Sequence, residues 1–138
     1  VDMFEWRKAT GPQTIGTIGL GPCVGVVLYS DTRKEGHVGH FVAPHIDAID
    51  VEEMVESALE GGELSELTVW VRGGSIDTEY AEEGLDYHQE TEDYLMALFA
   101  RKGVTTLDMQ LNLSPEISVD LVLDCETGTF KCTEENWE

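Results

Sequence analysis

The chain has 138 residues, 41% of them hydrophobic, which suits one domain with a single sizeable core, residues 1–138. Its 28 acidic residues against 8 basic ones give a net charge of -20, spread along the chain, and so exclude nucleic acid and anionic membrane as partners, since both need basic patches. No stretch is long enough to span a bilayer and no leader pattern opens the chain, so the expectation is a cytoplasmic protein without direct membrane insertion.

Residues 1–13 carry little pattern and read as a lead-in. Thr14–Leu20 reads as a short strand, and Cys23–Tyr29, nearly all apolar and β-branched, as a buried one. Asp31–Gly36 is a polar turn, and Val38–Ala43 is the return strand, stopped by Pro44. A helix is predicted from Asp50, with Asp50 and Glu53 as a capping box. Val51, Met54, Val55, Ala58 and Leu59 form its inward stripe, and Gly61-Gly62 is its stop. Leu67–Val71 is a further strand. Residues 76–86 read as an acidic loop, and Asp86 with Gln89 as the cap of a second helix closed by Gly103. Period-two alternation over Leu107–Leu113 and Ile117–Leu123 predicts two strands with one wet face. A last strand around Phe130 folds back at Thr127-Gly128. The expected class is α/β (α+β), with six or seven strands and two main helices.

Cys23 follows a Gly-rich corner, and His40 lies seventeen residues on. A thiol is a strong nucleophile only as thiolate, and a neighbouring imidazole is the usual activator. If the two flanking segments form a hairpin, positions 23 and 40 share a face. They are directly opposite for a turn centred between Asp31 and Thr32, and a shift by two keeps them together. Gly19 and Gly21 let backbone amides approach a substrate carbonyl. Pro22 has no N–H to offer, whereas the Cys23 amide does. Thr17 is placed to accept a hydrogen bond from the His40 ring. On spacing alone two readings stand: a nucleophile with its base, or a turn with a core cysteine and a structural histidine.

His37, an odd number of residues from His40, is expected on the other face. Cys23, His37, His40 and His45 have no familiar metal spacing, so no metal is expected. Cys125 and Cys132 flank a turn and could pair across a hairpin, although free thiols are the cytosolic default. Trp6 and Trp70 read as core or rim residues, Ser75 as a turn serine, and Asp77, Glu79, Glu82 and Glu83 as a solvated acidic stretch. The acidity itself leaves three readings open: a salt-rich cytoplasm, ordinary solubility, or a basic partner.

Thr17-Ile-Gly-Leu-Gly-Pro-Cys23-Val-Gly-Val, followed by Gly39-His40-Phe-Val-Ala-Pro44, resembles the signature of the CheD family of chemoreceptor glutamine deamidases. The likeness is dense over residues 14–44 and returns at Arg72-Gly73-Gly74-Ser75, where the family has a Gly-Gly after a strand. It implies Cys23 as nucleophile, His40 as base and acid, and Thr17 as the third member. It also implies a layered sandwich with flanking helices, similar to bacterial cysteine-dependent toxin deamidases. The implied chemistry is cofactor-free conversion of a protein glutamine to glutamate, with glutamyl methyl-ester hydrolysis as a side activity. The implied partners are chemoreceptor cytoplasmic helices as substrate and a chemotaxis phosphatase. The chain departs from the family at Pro22, usually Ser, and at Asn112-Leu-Ser-Pro-Glu116, where a Gly-Gly-Asn stretch is usual. Pro22 motivates one rival reading, a chemotaxis binding module with little activity. The altered 112–116 segment motivates another, an effector or toxin deamidase of a different protein.

Overall fold

The computed structural model describes residues 5–20, 23–41, 48–59, 67–74, 81–104, 106–111 and 117–136. Eight strands and two helices follow in chain order. They are β1 (Glu5–Thr10), β2 (Thr14–Leu20), β3 (Val24–Ser30), β4 (Glu35–Phe41), α1 (Ala48–Leu59), β5 (Leu67–Gly73), α2 (Ala81–Arg101), β6 (Thr106–Gln110), β7 (Ile117–Asp124) and β8 (Thr129–Asn136). Five strands form one sheet in the order β1-β4-β3-β5-β6, and three form a second in the order β2-β7-β8. All described pairings are antiparallel except β5 with β6. The mixed α+β class expected from the sequence is the one observed.

The period-two pattern explains the layering. On β3, Val24, Val26 and Leu28 join Val69 and Val71 of β5 in a core shared with Val51, Met54 and Val55 of α1 and Leu95, Leu98 and Phe99 of α2. The alternate residues Val27 and Tyr29 face the small sheet, where they meet Leu121 and Leu123 of β7. β3 is therefore buried on both faces, which is why it reads as an unbroken apolar run. Each fully buried Leu or Val contributes about 2 kcal/mol of transfer free energy.

Tyr29 spans the seam between the sheets, its hydroxyl donating to the Cys125 carbonyl at 2.8 Å. Tyr29→Phe leaves that buried carbonyl short of a donor and is expected to cost about 1 kcal/mol. The check is a thermal melt, with a fall in Tm of roughly 4 °C expected.

Five expectations are corrected. The lead-in contains β1, paired antiparallel with β4 from Glu5 opposite His40 to Thr10 opposite Glu35. Its exposed Arg7 and Lys8 suit an edge strand, whose charges discourage further pairing and hide the apolar alternation. α2 begins at Ala81, so Asp86 and Gln89 lie inside it instead of capping it. β6 ends at Gln110, earlier than the alternation to Leu113 suggested. The turn between β3 and β4 is tighter than expected, with Ser30 opposite Glu35 and Lys34 at a φ of 51°. α1 starts two residues before Asp50. The Asp50 side chain, Gly61-Gly62, His45, Ser75, Asp77 and Glu79, the side chains of Glu82 and Glu83, and residues 112–116 lie outside the described residues. Among the described residues no helix is long and apolar enough to cross a membrane.

Candidate active site

β2 carries one residue more than its partner. Thr17 pairs with Leu121 but Leu20 pairs with Val119, three steps on β2 against two on β7. Strict alternation would turn Thr17 and Leu20 to opposite faces. The bulge turns both into the seam, where they are 2% and 0% exposed. Gly19 supplies the left-handed corner, with φ at +70°, and its N–H donates to the Asp120 carboxylate at 2.9 Å. Ile18 is expelled to solvent at 74% exposure.

Below the bulge, register builds a row across the large sheet. Gly25 of β3 lies opposite His40 of β4 on one side and Arg72 of β5 on the other. Glu5 of β1 lies opposite His40 from the outer side. Opposed residues share a face, so Glu5, His40, Gly25 and Arg72 form one line facing the small sheet. The small sheet answers with a second line, Thr17, Leu121 and Cys132. The two lines meet side chain to side chain. Thr17 Oγ1 is 2.7 Å from His40 Nδ1 and buried. A Cβ on Gly25 would run into the methyls of Leu20 and Leu121, so the missing side chain is what lets the sheets close over His40. Cys132 is exposed, and partial desolvation of its thiol raises the pKa against the opposing pull of Arg72.

Cys23 stands one residue before β3 and belongs to the seam core with Leu20 and Val27. It is two residues from Gly25, so its diagonal neighbour on β4 is His40. The actual pair sum is shifted by two from the directly opposite register, a shift that keeps both residues on one face. Such diagonal neighbours lie ~7–8 Å apart at Cα. The Cys23 carbonyl accepts the Gly74 N–H at 2.9 Å. Cys23 is only 6% exposed, and burial pushes its thiol above the ordinary value. Burial thus favours the protonated thiol over the thiolate at rest.

His37 does point the other way. Its Nε2 is 3.0 Å from Ser57 Oγ of α1, and burial lowers its pKa to about 4 against the pull of Glu35. Glu35 in turn lies 3.5 Å from Lys8 and 3.4 Å from Arg33. Among the described residues no three His, Cys, Asp or Glu side chains converge as a metal site. All three cysteines are free. The β7–β8 hairpin sets Cys132 opposite Leu121, four residues short of Cys125, so the two thiols do not face each other across the ladder. Trp70 stacks on Phe130 at 4.7 Å, and Trp6 packs near His37 at 5.9 Å, both as partly buried core-side residues. A groove of about 430 Å³ between α2 and β6, lined by Met96, Phe99, Ala100, Val104, Leu107 and Met109, lies on the helix side and shares no residue with the seam.

Sequence reasoning gave Glu5, Gly25 and Arg72 no role in the site. Gly25 carried a readable signal, a glycine inside an apolar strand, which marks close approach of another backbone or side chain. Arg72 is held by Asp108, to whose carboxylate it donates at 3.0 Å, and lies over the Phe130 ring at 5.4 Å. Its place beside Gly25 depends on a pairing between distant segments that spacing does not reveal.

Fold and site together define a three-layer α+β protein with a hydroxyl–imidazole contact across the seam and a thiol on the diagonal. No family model matches the chain. It is similar to the chemoreceptor glutamine deamidase CheD of Halalkalibacterium halodurans, 48% identical over 44 residues, which is 32% of this chain and 27% of that protein. It is also similar to two proteins named probable chemoreceptor glutamine deamidase CheD. With that of Desulforamulus reducens it is 26% identical over 129 residues, covering 80% of this chain and 76% of that protein. With that of Haloarcula marismortui it is 22% identical over 142 residues, covering 94% and 81%. The resemblance to the CheD proteins thus extends over nearly the whole chain.

Proposed function

We propose that this protein is a cysteine-dependent protein-glutamine deamidase acting in the cytoplasm on the helical part of chemoreceptors. The observation that carries the reading is the Thr17–His40 contact at 2.7 Å, beside a thiol on the same face of the sheet. With Nδ1–H donating to Thr17 Oγ1, the imidazole carries its lone pair at Nε2, the tautomer of a general base. His40 takes the Cys23 proton as sulfur attacks the side-chain amide carbon, which suits a thiol that burial keeps protonated at rest. The same proton then goes to the departing nitrogen, releasing ammonia and leaving a thioester. Water, deprotonated by His40, frees glutamate and restores the thiol. No cofactor enters. Glutamyl methyl esters would pass through the same thioester, and a chemotaxis phosphatase is a fitting regulatory partner.

The test is incubation with chemoreceptor helix peptides followed by mass spectrometry for amide-to-acid conversion, and an unchanged peptide pool at all glutamines sinks the reading. Thr17→Val keeps the shape and removes the hydroxyl. It is expected to lower kcat by about 10²-fold with little change in KM, read from steady-state ammonia release. The burial of Cys23 favours a second reading, a chemotaxis binding module with little activity. A Cys23 that resists iodoacetamide at neutral pH even with substrate peptide bound, together with no ammonia release, would support it.

A further inference from the structure

We infer that Gly73 and Gly74 form a backbone socket that positions the Cys23 nucleophile, an inference that rests on the deamidase reading above. Three observations meet here. The Gly74 N–H donates to the Cys23 carbonyl at 2.9 Å, the last rung between β3 and β5. Gly73 faces Val24 in the ladder, and a Cβ on it would collide with that same carbonyl oxygen. Both glycines take left-handed backbone, with φ at +109° and +73°. The first of these values is open essentially to glycine alone, and the second is costly for residues other than glycine, Asn or Asp.

The socket acts on the thiol through the chain. Cys23 lies just outside β3, at the end of a masonry of buried residues, and its carbonyl has one described anchor, the Gly74 amide. Holding that carbonyl in the plane of the large sheet fixes the Cys23–Val24 peptide. The Cys23 side chain then stays on the face it shares with Gly25 and His40. Gly73 and Gly74 touch no reacting atom in this scheme. They are positioning residues, and the cost of displacing them is paid in geometry: a misplacement of about 1 Å in a reacting group can cost 10²-fold in rate.

The experiment compares Gly73→Ala with Gly103→Ala. Gly103, at the end of α2, also has left-handed φ, at +83°, but a Cβ there meets nothing within 4 Å. Gly103→Ala therefore carries backbone strain without contact to Cys23. Two readouts are taken: kcat and KM for deamidation of receptor helix peptides, and the pH profile of iodoacetamide labelling at Cys23, followed on its own peptide by mass spectrometry. Gly73→Ala is expected to lower kcat by about 10²-fold with KM within about twofold, and to move the labelling midpoint. Gly103→Ala is expected to change neither while still lowering Tm. A folded Gly73→Ala with the parent's kcat and labelling profile overturns the inference, as does an equal change in Gly103→Ala. Should Gly73→Ala fail to fold, Gly74→Ala and Gly74→Asn decide. Alanine disfavours the left-handed φ and is expected to shift the labelling profile, and Asn, which tolerates that φ, is expected to restore it. An unshifted profile in Gly74→Ala overturns the socket. Labelling needs no turnover, so a parent that releases no ammonia but whose profile responds to Gly73→Ala defeats the deamidase reading and leaves the socket standing.

Discussion

Cys23→Ala is expected to lower ammonia release from a glutamine-bearing receptor helix by about four orders of magnitude or more, while the protein stays folded. The size follows from the chemistry. Without sulfur there is no thioester, and His40 alone can only assist direct attack by water on an unstrained amide. The stability change is small because the lost atom is one sulfur at the rim of the seam, and roughly 1 kcal/mol is the common cost of such a change. Circular dichroism and a thermal melt check the fold, and a coupled ammonia assay checks the rate. Retention of the parent rate by Cys23→Ala would remove the thiol from the mechanism altogether. Because burial keeps the thiol protonated at rest, the labelling rate at neutral pH is expected to be modest in the free protein. It should rise when a helix peptide occupies the corner and aligns the proton transfer.

The second large effect is on stability against pH, and it belongs to His37. Its side chain is 1% exposed between β4 and α1, and the cost of burying a charge there lowers its pKa to about 4. In the unfolded chain the same group titrates near its ordinary value of 6.5. Between these two values the unfolded state binds the extra proton, so stability rises with pH across the window. The contribution is complete above about pH 6.5, falls as pH drops through the window, and is fully lost below about pH 4. A separation of that size corresponds to about 3 kcal/mol. The carboxylates also titrate at the acid end, so the measurement is a difference. Urea unfolding of the parent and of His37→Gln is compared at steps from pH 7 to pH 4. The variant is expected to lose most of the slope between pH 6.5 and 5, where few carboxylates change charge. Parallel curves for the two proteins would show that His37 does not control this window.

Local signals carried far in this chain. The apolar run of β3, the parity that puts His37 and His40 on opposite faces, and the α1 stripe from Val51 to Ala58 all follow from residues close in sequence, and each is seen. The Thr17–His40 contact joins two such signals, and it is present. What sequence left out is non-local. β1 looks patternless because an edge strand carries charge where a central one carries Val or Leu. The first turns of α2 look like loop because Glu, Asp and Gly84 crowd them. The split of the strands into two sheets is set by which ladders close, and no spacing encodes it. The line from Glu5 to Arg72 exists only because four separate strands adopt one register.

The surplus residue in β2 has a wider consequence. It divides the strand into two arms with independent phase: Thr14–Thr17 is locked to Leu121–Asp124, and Leu20 to Val119. One arm aims the hydroxyl at the imidazole, and the other delivers the chain to the thiol corner. Evolution can therefore retune the approach to the nucleophile without disturbing the orientation of the base, a modularity that an unbroken strand, whose every slip is felt along its whole length, would not allow.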